Sequence, residues 1–259
     1  MAEQRIICGI NTVASAMDSG LRIHSLLCAG GRKNSRVQKL VEILQKQGVD
    51  MEEVERAALT KACGTDKHQG IAAYTDPLTR KDLTGLLSET PPGERFFLLL
   101  DEVTDPHNFG ALIRSAAAAG CQAVIYARDR SCQVTPVVEK AAAGTLNCVA
   151  LCQVTNLSRA IAELKHEGVW VYGLALEGAS SIYATDLRGD VALVAGSEGR
   201  GIRPGVLKAC DGAVKIFMPG RVESLNVSVA TGVALFEVVR QRMQRGENRL
   251  SNKKSMENG

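Results

Sequence analysis

The stretch Ser224-Leu225-Asn226-Val227-Ser228-Val229-Ala230 sets two polar side chains, Ser224 and Asn226, at the mouth of an otherwise apolar helix. This is the pattern of a helix start that faces a ligand. Two further polar clusters follow apolar runs upstream: Asp105 to Arg114, which holds Asn108, Gly110 and Arg114, and Gly196 to Gly201, which holds Glu198. Amides, a guanidinium, a carboxylate and a hydroxyl arriving from three junctions at strand ends imply one composite site.

Each of these residues also has a plainer role. Asn108 comes where a helix begins after the run Phe96 to Leu100, and capping that helix would account for it. Arg114 lies four residues after Gly110, and helix side chains lean towards the N-terminus, so the arginine would lie over a position without a side chain. Gly110 would then leave room for substrate. A surface salt bridge is the alternative for Arg114, although Ser115 to Gly120 offers no acidic partner within a turn. Glu198 shares a turn with Gly196, Gly199 and Gly201, which a tight strand-to-helix connection would explain by itself. The glycine order there is neither the dinucleotide fingerprint nor a phosphate-binding loop followed by lysine and serine. Capping explains one of Ser224 and Asn226 well and both less well. Ile216 to Pro219, just upstream, forms an apolar wall.

The elements that must position these groups read as two α/β units. Residues 5 to 75 alternate strand-like and helix-like patterns: Ile6 to Ile10, Thr12 to Ser19, Ile23 to Cys28, a helix with Val37, Leu40, Val41 and Leu44 on one face, and a strand at Ile71 to Tyr74. Pro77, Pro91, Pro92 and Gly93 surround a short helix near Asp82 to Leu87, the composition of an interdomain connection. Beyond it, strands are expected at Phe96 to Leu100, Ala123 to Tyr126, Cys148 to Val154, Val169 to Leu174, Val191 to Ala195 and Val214 to Met218. Thr135-Pro136 opens one of the helices between them, and Leu157, Ile161 and Leu164 mark the buried face of another. Continuous apolar strands separated by helices indicate a parallel sheet covered on both faces, and such sheets bind ligands beyond the carboxyl ends of their strands. All three polar clusters fall at that edge. The Asn-, Lys-, Glu- and Ser-rich end, from about Arg245, has too little apolar surface to order itself.

Composition sets limits. The longest apolar runs are far below the roughly 20 residues needed to cross a bilayer, and no secretory signal pattern opens the chain, which reads as cytoplasmic. The eight cysteines are read as free thiols in mostly apolar surroundings, Cys8, Cys28, Cys121 and Cys148 among them. Neither they nor the four histidines show metal-ligand spacing, so no metal is expected. A net charge of +3 permits an RNA partner without demanding one.

The order and content of the three clusters resemble the motifs of the SPOUT methyltransferases, TrmH type: Asn108-x-Gly110-x-x-x-Arg114, Gly196-x-Glu198 and Ser224-x-Asn226. The resemblance covers nearly the whole chain, since the first seventy or so residues look like the small ribosomal-protein-like RNA-binding domain of members that act on 23S rRNA. It implies a two-domain α/β protein, with an RNA-binding domain at 1–76, a linker at 77–94, a parallel-sheet domain with a trefoil knot at 95–243 and a disordered tail at 244–259. It implies transfer of a methyl group from S-adenosylmethionine to the ribose 2′-hydroxyl of a guanosine in 23S rRNA. Asn108, Arg114, Glu198, Ser224 and Asn226 would be catalytic, and Gly196, Ile216, Met218 and Leu225 would line the donor. Glu198 would hold the arginine or cap an adenosine hydroxyl. Arg114 would act either as the base, which is demanding because a guanidinium stays protonated below about pH 12, or as a clamp on a phosphate. A homodimer built around the last helix, from Val229 to Val239, is implied as well. His68, in a turn before a strand, is a weak candidate for RNA contact. Other readings are a tRNA methyltransferase, a non-catalytic RNA-binding protein of ribosome assembly on the same scaffold, and a dinucleotide enzyme. Intact Arg114, Glu198 and Asn226 argue against the non-catalytic reading, and the missing fingerprint against the last.

Overall fold

Residues 5–31, 34–78, 80–176, 179–222 and 224–257 are described in the computed structural model, with side chains through 244. The first unit is built from β1 (Arg5–Cys8), α1 (Ile10–Asp18), β2 (Ile23–Ala29), α2 (Ser35–Lys46), β3 (Asp50–Val54), α3 (Arg56–Cys63) and β4 (Ile71–Thr75). Its strands form a mixed sheet in the order β1-β4-β2-β3, with β4 antiparallel to β1 and β2, and β2 parallel to β3. One face carries α1 and α2, which pack Val13, Ala16, Val37, Leu40 and Leu44 with Ile7, Leu26 and Ile71. The other is covered by Leu59 and Cys63 of α3. Ile10, read as a strand residue, instead opens α1, because Gly9 at φ 95° turns the chain. Strand β3 and helix α3 escaped the sequence reading, β3 because Asp50-Met51-Glu52-Glu53-Val54 is a half-exposed edge strand without an apolar run.

The second unit comprises β5 (Arg80–Lys81), α4 (Leu83–Glu89), β6 (Phe96–Leu100), α5 (Pro106–Ala118), β7 (Ala123–Ala127), α6 (Pro136–Ala142), β8 (Ala150–Val154), α7 (Leu157–His166) and β9 (Trp170–Leu174). It continues with β10 (Ser180–Ser181), β11 (Val191–Ala195), α8 (Pro204–Ala209), β12 (Gly212–Lys215) and α9 (Val227–Glu257). These eight strands pair in parallel in the order β10-β12-β9-β11-β6-β7-β8-β5. The expected α/β class with a parallel sheet is therefore observed. Two cores explain the unbroken apolar strands. Phe96, Leu98, Leu100, Val191 and Leu193 pack on one face with α5 and α9, while Phe97, Leu99, Ala192 and Val194 pack on the other with α4 and α7.

Residues 77–94 are more than a connection. β5 pairs with β8, and Leu83, Leu86 and Leu87 of α4 are buried against Phe97 and Leu99. Here Pro92 and Gly93 lie in the turn that leads into the central strand β6, and Pro77 in the stretch before β5. Thr135 caps α6 as expected, accepting from Val138 N at 3.4 Å. The two units touch where Arg5 ion-pairs with the buried Glu139 and donates to Asn147 Oδ1 at 3.1 Å, and where Ser15 Oγ donates to the Gly144 carbonyl at 2.9 Å. Among the described residues no disulfide links the eight cysteines, and Cys148 is exposed and Cys8 only half-buried, against the apolar surroundings expected for them. Helix α9 extends through Glu257, past the point where the polar tail was expected to lose order; the stretch contains no proline to stop it. Side chains from 245 on and the last two residues lie outside the described residues.

Candidate active site at the carboxyl edge of the sheet

Parallel strands β9, β11, β6 and β12 all end at one edge, and the three polar clusters leave from those ends. After β6, Asp105 caps α5 by accepting from Asn108 N at 2.7 Å, with Pro106 at the first helical position. Capping therefore does not account for Asn108. It sits inside the first turn of α5, with its side chain free to reach across the edge. After β11, Gly196 to Gly201 folds into a tight hairpin: Ser197 N donates to Gly201 O at 3.1 Å, and Gly201 N to Ser197 O at 3.0 Å. Gly196 permits it, because a Cβ there would lie 2.1 Å from the Gly201 carbonyl carbon. A buried acid holds this turn in place. Asp101, fully buried at the end of β6, accepts from Arg203 N at 2.8 Å, Nε at 2.9 Å and Nη2 at 2.6 Å. These hydrogen bonds keep the Arg203 guanidinium firmly charged, raising its pKa above the ordinary value.

Helix α9 starts at the third cluster. Asn226 Oδ1 accepts from Ser228 N at 2.9 Å and Ser228 Oγ at 2.6 Å, so Asn226 is the cap of α9. Its oxygen being occupied, its amide nitrogen must face outward, and it donates to Glu198 Oε1 at 2.5 Å and Asn108 Oδ1 at 3.1 Å. One amide thus ties together all three clusters. The Glu198 carboxylate also lies at the N-terminal end of α9, where the helix dipole favours negative charge. It holds Asn226 rather than an arginine.

Beside this triad lies a cavity of about 390 Å³, within the range of sites for small molecules and cofactors. Gly196, Ile216, Met218 and Leu225 line it as expected, together with Glu198, Ser224 and Asn226. Sequence reasoning missed Leu174, Val214 and Thr231, which complete its walls. Leu174 ends a strand at this edge, and Thr231 is a polar residue within the apolar stripe of α9; both signals were present in the sequence. The Asp101–Arg203 clamp was missed too, although an acid directly after the run Phe96 to Leu100 was a visible sign.

Three expectations change. Asn108 and Arg114 do not line the cavity, and Arg114 is exposed on α5 with no ion pair among the described residues. Gly110 makes no room for substrate. It is buried, and a Cβ there would meet Ala141 Cβ at 2.5 Å and the Val138 carbonyl at 2.8 Å, so it is there for close packing of α5 on α6. His68 is a structural residue rather than an RNA contact: it is fully buried, accepts from Gly70 N at 3.1 Å and lies 3.1 Å from Thr60 Oγ1. Burial, followed by the nearby Arg56, lowers its pKa and holds it neutral. Among the described residues no group of three histidine, cysteine or acidic side chains could hold a metal, and no helix is long and apolar enough to cross a membrane.

Residues 95–236 match the SpoU rRNA Methylase family, and residues 6–80 match a family described as RNA 2′-O ribose methyltransferase substrate binding. The 23S rRNA (guanosine-2′-O-)-methyltransferase RlmB of Xanthomonas campestris pv. campestris is 45% identical over 241 residues, covering 92% of this chain and 96% of that protein. The RlmB of Coxiella burnetii is 44% identical, covering 93% of this chain and 98% of that protein. Among solved structures, a crystal structure of an RNA 2′-O ribose methyltransferase aligns with a TM-score of 0.76 at 26% identity, covering 93% of this chain and 89% of that one. The SpoU methyltransferase AviRb of Streptomyces viridochromogenes, solved in complex with AdoMet, shares the fold with a TM-score of 0.77 at 21% identity, over 93% of this chain and 91% of that one. Asn108, Glu198 and Asn226, meeting at the end of a parallel sheet, lie within the stretch that matches the methylase family, and likeness over nine-tenths of the chain shows that it belongs to the SpoU rRNA methylases, TrmH-type members of the SPOUT superfamily.

Proposed function

We propose that this chain transfers a methyl group from S-adenosylmethionine to the ribose 2′-hydroxyl of a guanosine in 23S rRNA. The observation that carries the site assignment is the Asn226 amide bound to both Glu198 and Asn108 at the rim of the cavity. The cavity suits the donor: Gly196, where a Cβ would collide with the Gly201 and Ile202 backbone, lets the hairpin close as one wall, and Ile216, Met218 and Leu225 supply apolar surface. When bound, the donor supplies a methyl carbon already attached to a good leaving group, its sulfonium sulfur.

The protein's task is then alignment of the ribose oxygen with that carbon. Asn226 cannot rotate away without uncapping α9, so it fixes the Glu198 carboxylate and the Asn108 amide as one rigid polar edge. Ser224, exposed at the same rim, adds a hydroxyl, and Arg114 offers its exposed charge to an RNA phosphate or to the reacting ribose. Residues 1–76 serve as the RNA-binding domain and 95–243 as the catalytic domain, with 77–94 joining them; the two family matches support this division. Two more family features are assigned to the chain: the trefoil knot around the last two motifs, and a homodimer sharing α9. The row Val229, Val233 and Phe236, exposed at helical spacing on α9, supports the dimer. An rRNA substrate places the enzyme in the cytoplasm, where ribosomes assemble.

Mapping of ribose 2′-O-methyls in cells lacking the protein tests the reading. One guanosine of 23S rRNA should lose its methyl group, and purified protein should restore it with S-adenosylmethionine. Loss confined to tRNA would move the substrate to tRNA, and no loss in either RNA would refute the assignment.

A further inference from the structure

One polar group in the cavity has no use in the reading above. Thr231, in the second turn of α9, is fully buried, lines the cavity beside Val227 and Ala230, and its Oγ1 has no hydrogen-bond partner among the described residues. Threonines inside helices commonly donate to the carbonyl four residues back, a bond that Thr231 does not make. Of the other residues that line the cavity, Leu174, Ala195, Val214 and Ile216 offer apolar side chains only. Packing alone does not explain the residue, because valine has the same shape, and α9 uses valine at 227, 229 and 233. A buried hydroxyl without a partner lowers stability in the absence of a ligand, so its partner is expected to arrive with one.

We propose that the Thr231 hydroxyl hydrogen-bonds the adenosine portion of bound S-adenosylmethionine, an inference that rests on the donor reading above. The ligand's chemistry selects the portion. Its ammonium and carboxylate are charged and costly to desolvate against apolar walls, so they stay at the rim near exposed Ser224 and Glu198. The flat, uncharged adenosine tolerates the buried side of the cavity and needs only a few well-placed hydrogen bonds there.

Calorimetric titration of full-length Thr231→Val and Thr231→Ser with S-adenosylmethionine and with 5′-methylthioadenosine, which lacks the amino-acid tail, tests the assignment. Thr231→Val should weaken both ligands by the same factor, about three- to tenfold, the usual effect of one hydrogen bond. Thr231→Ser should bind both nearly as wild type, and ligand-free Thr231→Val should melt no lower than wild type. Should Thr231→Val fail to fold, Thr231→Ala reads the same loss of the hydroxyl. Wild-type affinity for both ligands in Thr231→Val would overturn the proposal, as would weakening toward S-adenosylmethionine alone. Failure of the wild-type protein to bind either ligand would instead refute the donor reading itself.

Discussion

Gly196→Ala tests whether the glycine hairpin forms a wall of the donor cavity. An added Cβ would lie 2.1 Å from the Gly201 carbonyl carbon, and 2.3 Å from both the Gly201 oxygen and Ile202 N. Carbon atoms in comfortable contact stand about 3.5–4.0 Å apart, so the backbone must separate by more than about 1 Å. Neither side yields easily, since Ser197 and Gly201 exchange two backbone hydrogen bonds and Arg203 is tied to buried Asp101. Opening the hairpin gives up two bonds of about 1 kcal/mol each, and residual crowding adds about 1–3 kcal/mol, for a destabilisation of about 3–5 kcal/mol. In a protein of this size that lowers the melting temperature by about 6–20 °C, and the displaced wall should weaken S-adenosylmethionine at least about tenfold. Gly168→Ala, away from the cavity, is the matched control. Its Cβ would point into open space, and only the left-handed backbone at φ 81° opposes it, costing about 1 kcal/mol with little change in donor affinity. Thermal unfolding and calorimetric titration read both quantities. A Gly196→Ala protein that melted within about 2 °C of wild type and bound the donor equally well would refute the reasoning.

Arg114→Ala should leave folding and donor affinity intact while slowing transfer of a tritiated methyl group to 23S rRNA at least about a hundredfold, the scale of losing a positioned electrostatic group; unchanged single-turnover rates would remove Arg114 from the site. Gly110→Ala should destabilise the protein by about 1–3 kcal/mol in urea unfolding, because its Cβ would meet Ala141 and the Val138 carbonyl, and unaltered stability would contradict the packing role. For His68, burial lowers the folded-state pKa, so below the unfolded value of about 6.5 the unfolded chain takes up a proton that the folded chain refuses. Its contribution is therefore complete above about pH 6.5 and is lost as pH falls from there to the lowered folded pKa; denaturation of wild type and His68→Gln at several pH values should show a shallower acid decline in the variant, and parallel curves would exclude the effect.

What local sequence determined here is burial and the chemistry of each cluster. Phe96–Leu100 and Val191–Ala195 appear as strands with the boundaries read from their unbroken apolar runs, because a strand covered on both faces has no polar position to blur its ends. The two-residue strands β5 and β10 carry no such pattern and exist only because neighbours pair with them. Asn108, Glu198, Ser224 and Asn226 were legible as residues, but their jobs were not, and Asp101, Arg203 and Thr231 were missed altogether. Asn226 had capping and ligand contact as competing explanations, and the structure shows capping by one end of the amide, which leaves the other to bind Glu198 and Asn108. Those partners lie 28 and 118 residues away, beyond the reach of any helical or strand period. Gly110, read as space for a substrate, is space for α6, since only the packed helix pair reveals what a missing side chain makes room for. Thr231 likewise looks like one polar residue in an apolar stripe until the fold buries it against a cavity. Periodicity fixes which way a side chain faces along its own element, whereas what it faces depends on contacts whose closing entropy only the completed core can offset.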